Sequence, residues 1–549
     1  MISPDRSSLL LNLILVLPLL LFLPGYALTR TFLKIPVSVG LLEKFFLRIF
    51  LSCGVTSYVG LGITLFSEFS GQILVCGVVV FSFLLFLAKR FRLSQGLGPI
   101  EISWNDFFIV LMVGLAVILF FWPSEEIGSL FSQGIQLGRE GTLFQGKGLL
   151  FFMKGEVPGS IWIAAFDVFF GVHLALFVSP LFGVLSVLAL FFCVIKRFDA
   201  MAAVSAGLFL ATSLTQIYFA RCPQSLMLAQ FFVLASFYCY QLYEEEKEIG
   251  FLGGALLLFV LAVFARWEMY PVLLFMVAAY FVNRILSQRK LNISMILRCV
   301  SCIFVVAGWV WVLKEFPQIS SVFPCSFLVF SFGGVLFFLW RNFKIEDGSL
   351  LALFILSPFL AFKGAPKESI NLISLSGWIP LLIPALSLWS GYALSIFSCT
   401  GKIAQGFSIF ALVLTVFFPL YTHWDFLGSR EDQGLIKFYQ NLRGFFLPND
   451  LVFSSQSDLA SLFQQLFGLK VYSLPPEGLD FQFQKEIRLW LKDGGKAYVM
   501  SENGEPKMDG FIIKLQSVEK LETQGMDVSS LLPERKILKE KTVKIYEAE

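Results

Sequence analysis

Residues 104–126 have the sequence WNDFFIVLMVGLAVILFFWPSEE, and this stretch decides the fold class. The apolar run from Trp104 to Trp122 is about 19 residues long, which is enough to cross a bilayer core of roughly 30 Å. Pro123 then ends the helix, so Glu125 and Glu126 are predicted at the water interface. Adjacent carboxylates at a membrane surface indicate chemistry on a lipid-borne substrate.

The composition extends this interpretation to the whole chain. Of the 549 residues, 57% are hydrophobic and 15% are charged, whereas a soluble protein has about 25% charged residues. We therefore predict a mainly α polytopic membrane protein. The formal net charge of +3 is too small to indicate a nucleic-acid partner.

Similar apolar runs recur along the chain and predict about 14 transmembrane helices. The first run has only Arg6 as a basic residue before it and no small-residue cleavage site, so we expect an uncleaved helix. The runs fall at residues 9–28, 45–66, 70–88, 104–122, 174–195, 200–219, 224–243, 249–265, 269–283, 293–313, 322–340, 349–362, 370–396 and 403–421.

The basic residues between these runs predict the orientation of the chain. One face, which we assign to the cytoplasm, carries most of them, including Arg30, Lys44, Arg48 and Lys196. The opposite face receives a long loop at residues 123–160 and the whole tail. We predict the bacterial inner membrane as the location, and an endoplasmic-reticulum membrane suits the same topology.

The tail changes character, because charges become frequent and the apolar runs shorten. Strands at 450–455, 470–473 and 496–501 alternate with helices at 458–467 and 481–491, which predicts a small extracytoplasmic α/β domain with a partly parallel sheet. No nucleotide-binding glycine motif is present, so no nucleotide site is predicted. The predicted domains are N-terminal helices (1–100), a transmembrane core (101–425) and the tail domain (426–549).

Three groups of polar residues are predicted on the outer face. In the first, Glu125 and Glu126 precede Arg139 and Glu140 in the same loop. A carboxylate there can act as general base towards an acceptor hydroxyl, or it can hold a divalent metal ion that binds a diphosphate. A solvated loop with acids near a helix end is the alternative.

The second and third groups are basic. Arg221 lies at a turn between two spans, where a guanidinium can pair with a lipid phosphate or simply anchor the helix at the headgroups. Arg266 and Glu268 occupy a similar position and can form an ordinary interfacial pair. Lys363 and Lys367 can neutralise a phosphate, or they can belong to an ordinary loop.

The order of these residues resembles the GT-C superfamily of polyprenyl-phosphate-sugar-dependent glycosyltransferases, and within it the protein-mannosyltransferase and aminoarabinose-transferase group. The resemblance covers about residues 104–400. The features that follow one another as in that family are the acidic pair after an early span, Gly141, Gly171-Val-His173, the span that ends in Lys196-Arg197-Phe198, and Ala220-Arg221.

The resemblance implies an inverting transfer of sugar from a polyprenyl-phosphate carrier, on the outer face, to a protein, lipid or glycan acceptor. Metal dependence varies in such families, so a divalent metal is possible and no other cofactor is implied. The residues implied are Glu125 or Glu126 as the base and Arg221, Lys363 and Lys367 at the donor phosphate, with Arg139, Arg266 and Glu268 as accessory candidates.

Two features depart from the family pattern. Ser124-Glu125-Glu126 replaces the usual first aspartate, and Lys367-Glu368 replaces a late Arg-Tyr motif. These departures suit a divergent or inactive member. A transporter or flippase of lipid-linked material is an alternative that fourteen spans would suit, and it predicts charged spans or broken helices in corresponding halves. A non-catalytic scaffold that presents the tail domain is the other alternative.

Overall fold

The structure is a computed structural model that describes residues 6–33, 35, 39–88, 104–121, 123, 129–141, 157–270, 325–339, 379–422, 435–447, 450–454, 463, 471–473, 481–492, 496–501, 513–526 and 536–548. The helices in these ranges are α1 (Arg6–Leu21), α2 (Leu23–Thr31), α3 (Leu41–Phe66), α4 (Gly71–Ala88), α5 (Trp104–Phe120), α6 (Ser129–Glu140), α7 (Val157–Phe170), α8 (Val172–Ala175), α9 (Val178–Arg197), α10 (Ala200–Thr212), α11 (Leu214–Arg221), α12 (Leu226–Glu246), α13 (Ile249–Ala265), α14 (Cys325–Phe337), α15 (Ile379–Ser398), α16 (Lys402–Thr422), α17 (Leu435–Arg443) and α18 (Phe481–Lys492). The strands are β1 (Leu451–Ser454), β2 (Val471–Ser473), β3 (Ala497–Ser501), β4 (Ile513–Met526) and β5 (Lys536–Ala548).

The predicted fold class, a mainly α polytopic membrane protein with a small C-terminal α/β domain, is confirmed. In the described ranges, 6 helical segments are long and apolar enough to cross a membrane, or 7 if the bent pair α10–α11 counts as one span. Shorter apolar helices occupy further predicted runs. The predicted runs at 269–283, 293–313 and 349–362 lie outside the described residues, except for Met269 and Tyr270.

Helices α9 and α12 form the centre of the bundle. The spans that contain them are 89% and 94% buried, against 28% for the first span and 33% for α16. The peripheral helices expose large apolar side chains such as Phe83 and Phe410. In a membrane this surface faces lipid, so the burial pattern separates central from lipid-facing helices.

The predicted span at 200–219 is broken into two helices. Helices α10 and α11 meet at an angle of 58°. The Thr212 hydroxyl donates to the Leu208 carbonyl at 2.8 Å, and Ser213 leaves the helix with φ −62° and ψ 122°. Hydroxyl bonds to the preceding turn bend helices, and the extended Ser213 starts a new axis for α11.

The segment predicted as an outer loop contains a helix. Helix α6 packs against α7 through Gly134 and Gly138, where a Cβ atom would lie 2.5 Å from the Ile163 side chain and 3.2 Å from the Ala164 carbonyl oxygen, respectively. Small residues four apart let two helices approach closely. Gly141 then ends the segment with φ +72°, a conformation that favours glycine.

Lys196 ties three helices together at the end of the bundle that the loop charges place in the cytoplasm. Its Nζ lies 3.1 Å from Glu43 Oε1 and 3.9 Å from Glu245 Oε2. The Tyr238 hydroxyl donates to the same Glu43 oxygen at 2.6 Å. The start of α3 therefore meets the ends of α9 and α12, as the predicted orientation requires.

Replacing Lys196 by Met is expected to lower the free energy of unfolding by about 3 kcal/mol, because the Glu43 carboxylate would lose its counter-charge in a largely buried position. Midpoints of unfolding of the detergent-solubilised protein check this. Lys402→Met removes an exposed lysine and is the control. Equal midpoints for the two variants would show that the ion pair does not stabilise the fold.

The tail domain is a five-stranded sheet in the order β2-β1-β3-β5-β4. Strands β1, β2 and β3 are parallel, and β5 runs antiparallel to β3 and β4. The three predicted strands and the helix at 481–491 are thus confirmed, as is the partly parallel sheet. The long β4–β5 hairpin was not predicted, and the predicted helix at 458–467 lies outside the described residues except for Phe463.

Both faces of this sheet are covered by apolar side chains. Phe438 and Leu442 of α17 join one buried cluster with strand residues such as Met500. Ile487 of α18 joins another cluster with Val499 on the opposite face. Alternate side chains of β3 therefore pack into two apolar clusters, one on each face of the sheet, which is the layered arrangement expected of an α/β domain.

Candidate functional site

Arg221 lies at the end of α11 and reaches the end of α5. Its Nε donates to the Leu119 carbonyl oxygen at 3.0 Å, across 102 residues of sequence. The residue is only 5% exposed. The last carbonyls of a helix have no partner within the helix and carry partial negative charge, so a buried guanidinium is stabilised there.

Close packing makes this contact possible. A Cβ atom on Gly183 of α9 would lie 3.0 Å from the Ala220 Cβ and 3.1 Å from the Phe120 ring. The Ser179 hydroxyl also donates to the Phe219 carbonyl at 3.3 Å. Helix α9 therefore fixes the ends of α5 and α11 side by side, and the absence of a side chain at Gly183 sets their separation.

This arrangement places Arg221 beside the start of the segment that carries the acidic pair Glu125 and Glu126. The chain leaves α5 beside Arg221 and reaches Glu125 only six residues after Leu119. Six residues span about 20 Å at most when fully extended. Glu125 and Glu126 lie outside the described residues, so their position within that radius is a prediction.

Arg266 and Glu268 form the predicted interfacial pair. Arg266 Nη1 lies 3.4 Å from Glu268 Oε1, with side chains 17% and 23% exposed. Trp267 between them is 59% exposed, as is usual for tryptophan at a membrane–water interface. An accessory role of this pair in chemistry stays a prediction.

The remaining predicted residues are placed less fully. Arg139 is in the last turn of α6, and its side chain lies outside the described part of the structure. Lys363 and Lys367 lie outside the described residues. Within the described ranges no three His, Cys, Asp or Glu side chains come together as metal ligands. Glu125 and Glu126 lie outside these ranges, so the finding does not concern them.

Buried amides near Arg221 were missed in the sequence. Gln216 of α11 is fully buried, and its Nε2 donates to the Met227 sulfur at 3.2 Å while its Oε1 has no partner. Gln230 of α12 is fully buried with both side-chain polar atoms unpaired. Unpaired amides in an apolar bundle are costly and often mark functional interiors. The available signal was the presence of glutamines inside apolar runs.

A small apolar crevice opens at the start of α9. It lies between α7, α9 and the turn that follows α11, and its lining includes Gly159, Ser179, Phe182 and Gln224. The crevice adjoins the Ser179–Phe219 contact that holds α11. Its enclosed space is about the size of one water molecule, so it is a gap in the packing and not a ligand pocket.

Comparisons with known proteins were made for the sequence and for the structure. No family model and no curated protein matches the sequence. The structure is similar to ArnT from Cupriavidus metallidurans bound to undecaprenyl phosphate, at 12% identity and a TM-score of 0.47, over 81% of this chain and 98% of ArnT. It is also similar to the oligosaccharyltransferase AglB from Archaeoglobus fulgidus in complex with an inhibitory peptide and a dolichol-phosphate, at 12% identity and a TM-score of 0.45, over 73% of this chain and 69% of AglB.

Proposed function

We propose that this chain is a membrane glycosyltransferase that moves a sugar from a polyprenyl-phosphate carrier to an acceptor on the extracytoplasmic face, with inversion at the anomeric carbon. The observation that carries the proposal is the contact between Arg221 and the Leu119 carbonyl. This contact joins a buried cation to the start of the segment that carries Glu125 and Glu126. The acidic pair and Arg221 are also two of the sequence features that follow one another in the order typical of the GT-C superfamily.

The proposed chemistry is a single displacement. An acceptor hydroxyl attacks the anomeric carbon while Glu125 or Glu126 accepts its proton. The bond between that carbon and the phosphate oxygen breaks, and the bonding electrons leave with the polyprenyl phosphate. Inversion follows, because the acceptor and the phosphate occupy opposite faces of the sugar carbon.

The role of Arg221 is to stabilise the phosphate as negative charge develops on it. Its Nε is bound to the Leu119 carbonyl, so contact with the phosphate would use the Nη atoms. Burial strengthens the interaction, because charges attract more strongly at low dielectric constant. Lys363 and Lys367 are proposed as further cations at this phosphate.

The end of the bundle suits a donor that is partly lipid. The polyprenyl tail stays in the bilayer while its phosphate reaches the level of Arg221. In the alternative role of the acidic pair, Glu125 and Glu126 would hold a divalent metal ion that neutralises the phosphate, since carboxylate oxygens are the ligands such ions prefer.

A transporter or flippase of lipid-linked material is the second candidate. The bend of 58° between α10 and α11 favours it, because transporters place binding sites at broken helices. Within the described part of the chain this is one break, and a transporter fold predicts a second one in a corresponding half.

One experiment separates the two candidates. The protein is reconstituted into vesicles with sugar-labelled polyprenyl-phosphate donors and with peptide, lipid and glycan acceptors. Labelled acceptor together with stoichiometric free polyprenyl phosphate is expected for the glycosyltransferase. Movement of intact donor between leaflets without release of polyprenyl phosphate would replace that conclusion with the transporter. With neither result, the scaffold alternative takes precedence.

A further inference from the structure

Two arginines meet at the opposite end of the bundle from Arg221. The guanidinium carbon of Arg48 in α3 lies 4.9 Å from the centre of the Tyr26 ring, and that of Arg30 in α2 lies 5.4 Å from the same centre. Arg48 also lies 5.9 Å from the centre of the Phe22 ring. We call these two arginines with Tyr26 the arginine pair site.

The packing of α2 against α3 builds this site. The Gly25 amide donates to the Ser52 hydroxyl at 2.7 Å, and a Cβ atom on Gly25 would overlap the Arg48 backbone carbonyl. The Thr56 hydroxyl donates to the Leu20 carbonyl at 2.8 Å one turn further along. The first span is thus locked to α3, and the two arginines are held on a rigid surface.

Arg48 has no carboxylate partner among the described residues. Its Nε is buried from solvent and makes no hydrogen bond. The nearest acid along α3 is Glu43, five residues earlier, which is about 140° away around the helix. Glu43 is also engaged by Lys196 and Tyr238. Stacking on aromatic rings stabilises the Arg48 guanidinium but does not neutralise its charge.

The surface around the arginine pair site is apolar and exposed. Phe45 and Leu41 of α3 are each 43% exposed, Phe32 after α2 is 51% exposed, and Leu87 of α4 is 59% exposed. In a membrane protein such a surface contacts lipid. The arginines therefore lie on the lipid-facing side of the bundle and not in its interior.

The depth of the site matches a lipid headgroup. Arg48 lies seven residues after Leu41 at the start of α3, which is about 10 Å along the helix. Lys44 lies on the same face of α3, one turn nearer the start of that helix, and Arg30 is in the last turn of α2. Three cations thus form a short column from the helix ends into the headgroup region.

We propose that the arginine pair site binds the phosphate of an anionic phospholipid in the leaflet on the Lys196 side. Phosphate oxygens accept from the Nη atoms of Arg48, since its Nε is buried, and the aromatic rings and α4 contact the first part of the acyl chains. The charge of the lipid supplies the counter-ion that the described protein residues do not give Arg48. This site is independent of the proposed sugar transfer.

A bound lipid explains the site better than a soluble anion does. The exposed neighbours Phe45, Leu41 and Leu87 offer hydrocarbon contacts that inorganic phosphate cannot use. Lipid is also present at high local concentration at this surface, whereas a soluble anion must enter an apolar rim. An anionic leaflet also attracts each juxtamembrane arginine electrostatically.

The test measures lipid retention by the purified full-length chain with native mass spectrometry, using phosphatidylglycerol and phosphatidylcholine in equal amounts. Wild-type protein is expected to retain one phosphatidylglycerol preferentially. Arg48→Gln is expected to weaken that binding about five- to tenfold. Lys402→Gln removes an exposed lysine on the same predicted face and is expected to change nothing. Arg30→Gln is the second variant, in case Arg48→Gln does not fold.

A second measurement distinguishes the source of the phosphate. Phosphatidylglycerol is expected to raise the unfolding midpoint of the wild type more than phosphatidylcholine or inorganic phosphate does, and Arg48→Gln is expected to abolish the difference. An equal rise with inorganic phosphate would overturn the lipid assignment in favour of a free anion. Equal retention of both lipids by the wild type, or an unchanged preference in both arginine variants, would overturn the site itself.

Discussion

Replacing Glu125 or Glu126 by Gln is expected to reduce the turnover of sugar transfer by about 10²- to 10⁴-fold in one of the two variants. Glutamine has nearly the same shape as glutamate but does not accept the acceptor's proton. Only the carboxylate that faces the acceptor hydroxyl acts as the base, so the two variants are expected to differ. The segment that carries both residues starts beside Arg221, and we predict that it brings them within reach of the donor phosphate.

The measurement is transfer of labelled sugar in reconstituted vesicles, at saturating donor and acceptor. Donor binding is measured separately for each variant, since a base is needed for chemistry and not for binding. Glu246→Gln changes an exposed carboxylate at the end of α12, on the predicted opposite face, and serves as the matched control. Wild-type turnover in both loop variants would remove the acidic pair from the mechanism.

Replacing Arg221 by Lys is expected to lower kcat/KM for the donor by about 10²-fold. Lysine keeps the charge but presents a point cation in place of a planar fork. One ammonium group in this position does not hold the Leu119 carbonyl and the phosphate with the same geometry. The inhibition constant of free polyprenyl phosphate is expected to rise about tenfold, because the product carries the group that Arg221 binds.

The inhibition constant separates two roles of this arginine. If Arg221 only positions the end of α5, turnover falls while inhibition by polyprenyl phosphate stays as in the wild type. The control is Arg443→Lys, at an exposed position in the tail domain. Unchanged kcat/KM in Arg221→Lys would mean that the contact with Leu119 matters to neither binding nor chemistry.

The sequence predicts the parts of this fold that depend on local patterns. Apolar runs long enough to cross a bilayer became helices wherever the structure describes them. The strand residues 497–501 were also predictable, because a turn precedes a short apolar run. Each of these features depends on a few neighbouring residues, and the hydrophobic effect acts on them in the same way in any fold.

The contacts that build the candidate site could not be predicted in this way. Nothing near Arg221 in the sequence identifies Leu119, since the pair depends on Gly183 admitting two helix ends to one place. The break at Ser213 could not be predicted, because no proline or glycine lies next to it in the sequence. Helix α6 was predicted as loop because its polar residues suit either structure, and its glycines matter only against α7.

Among the charged residues, too, some features could be predicted from the sequence and others could not. The loop lysines and arginines predicted one common face, and the ion pair between Lys196 and Glu43 agrees with it. That Arg48 has no carboxylate partner among the described residues could not be predicted, because a single sequence shows which residues are charged but not which of them form ion pairs.

The bend between α10 and α11 changes the depth of Arg221. Eight residues of α11 span about 12 Å, and an angle of 58° projects this to about 6 Å along the axis of α10. Arg221 therefore lies about one helical turn less far along the α10 axis than it would at the end of a straight helix. A cation held at that level sees less water, so the phosphate of a lipid carrier can meet it without the rest of the carrier leaving the bilayer.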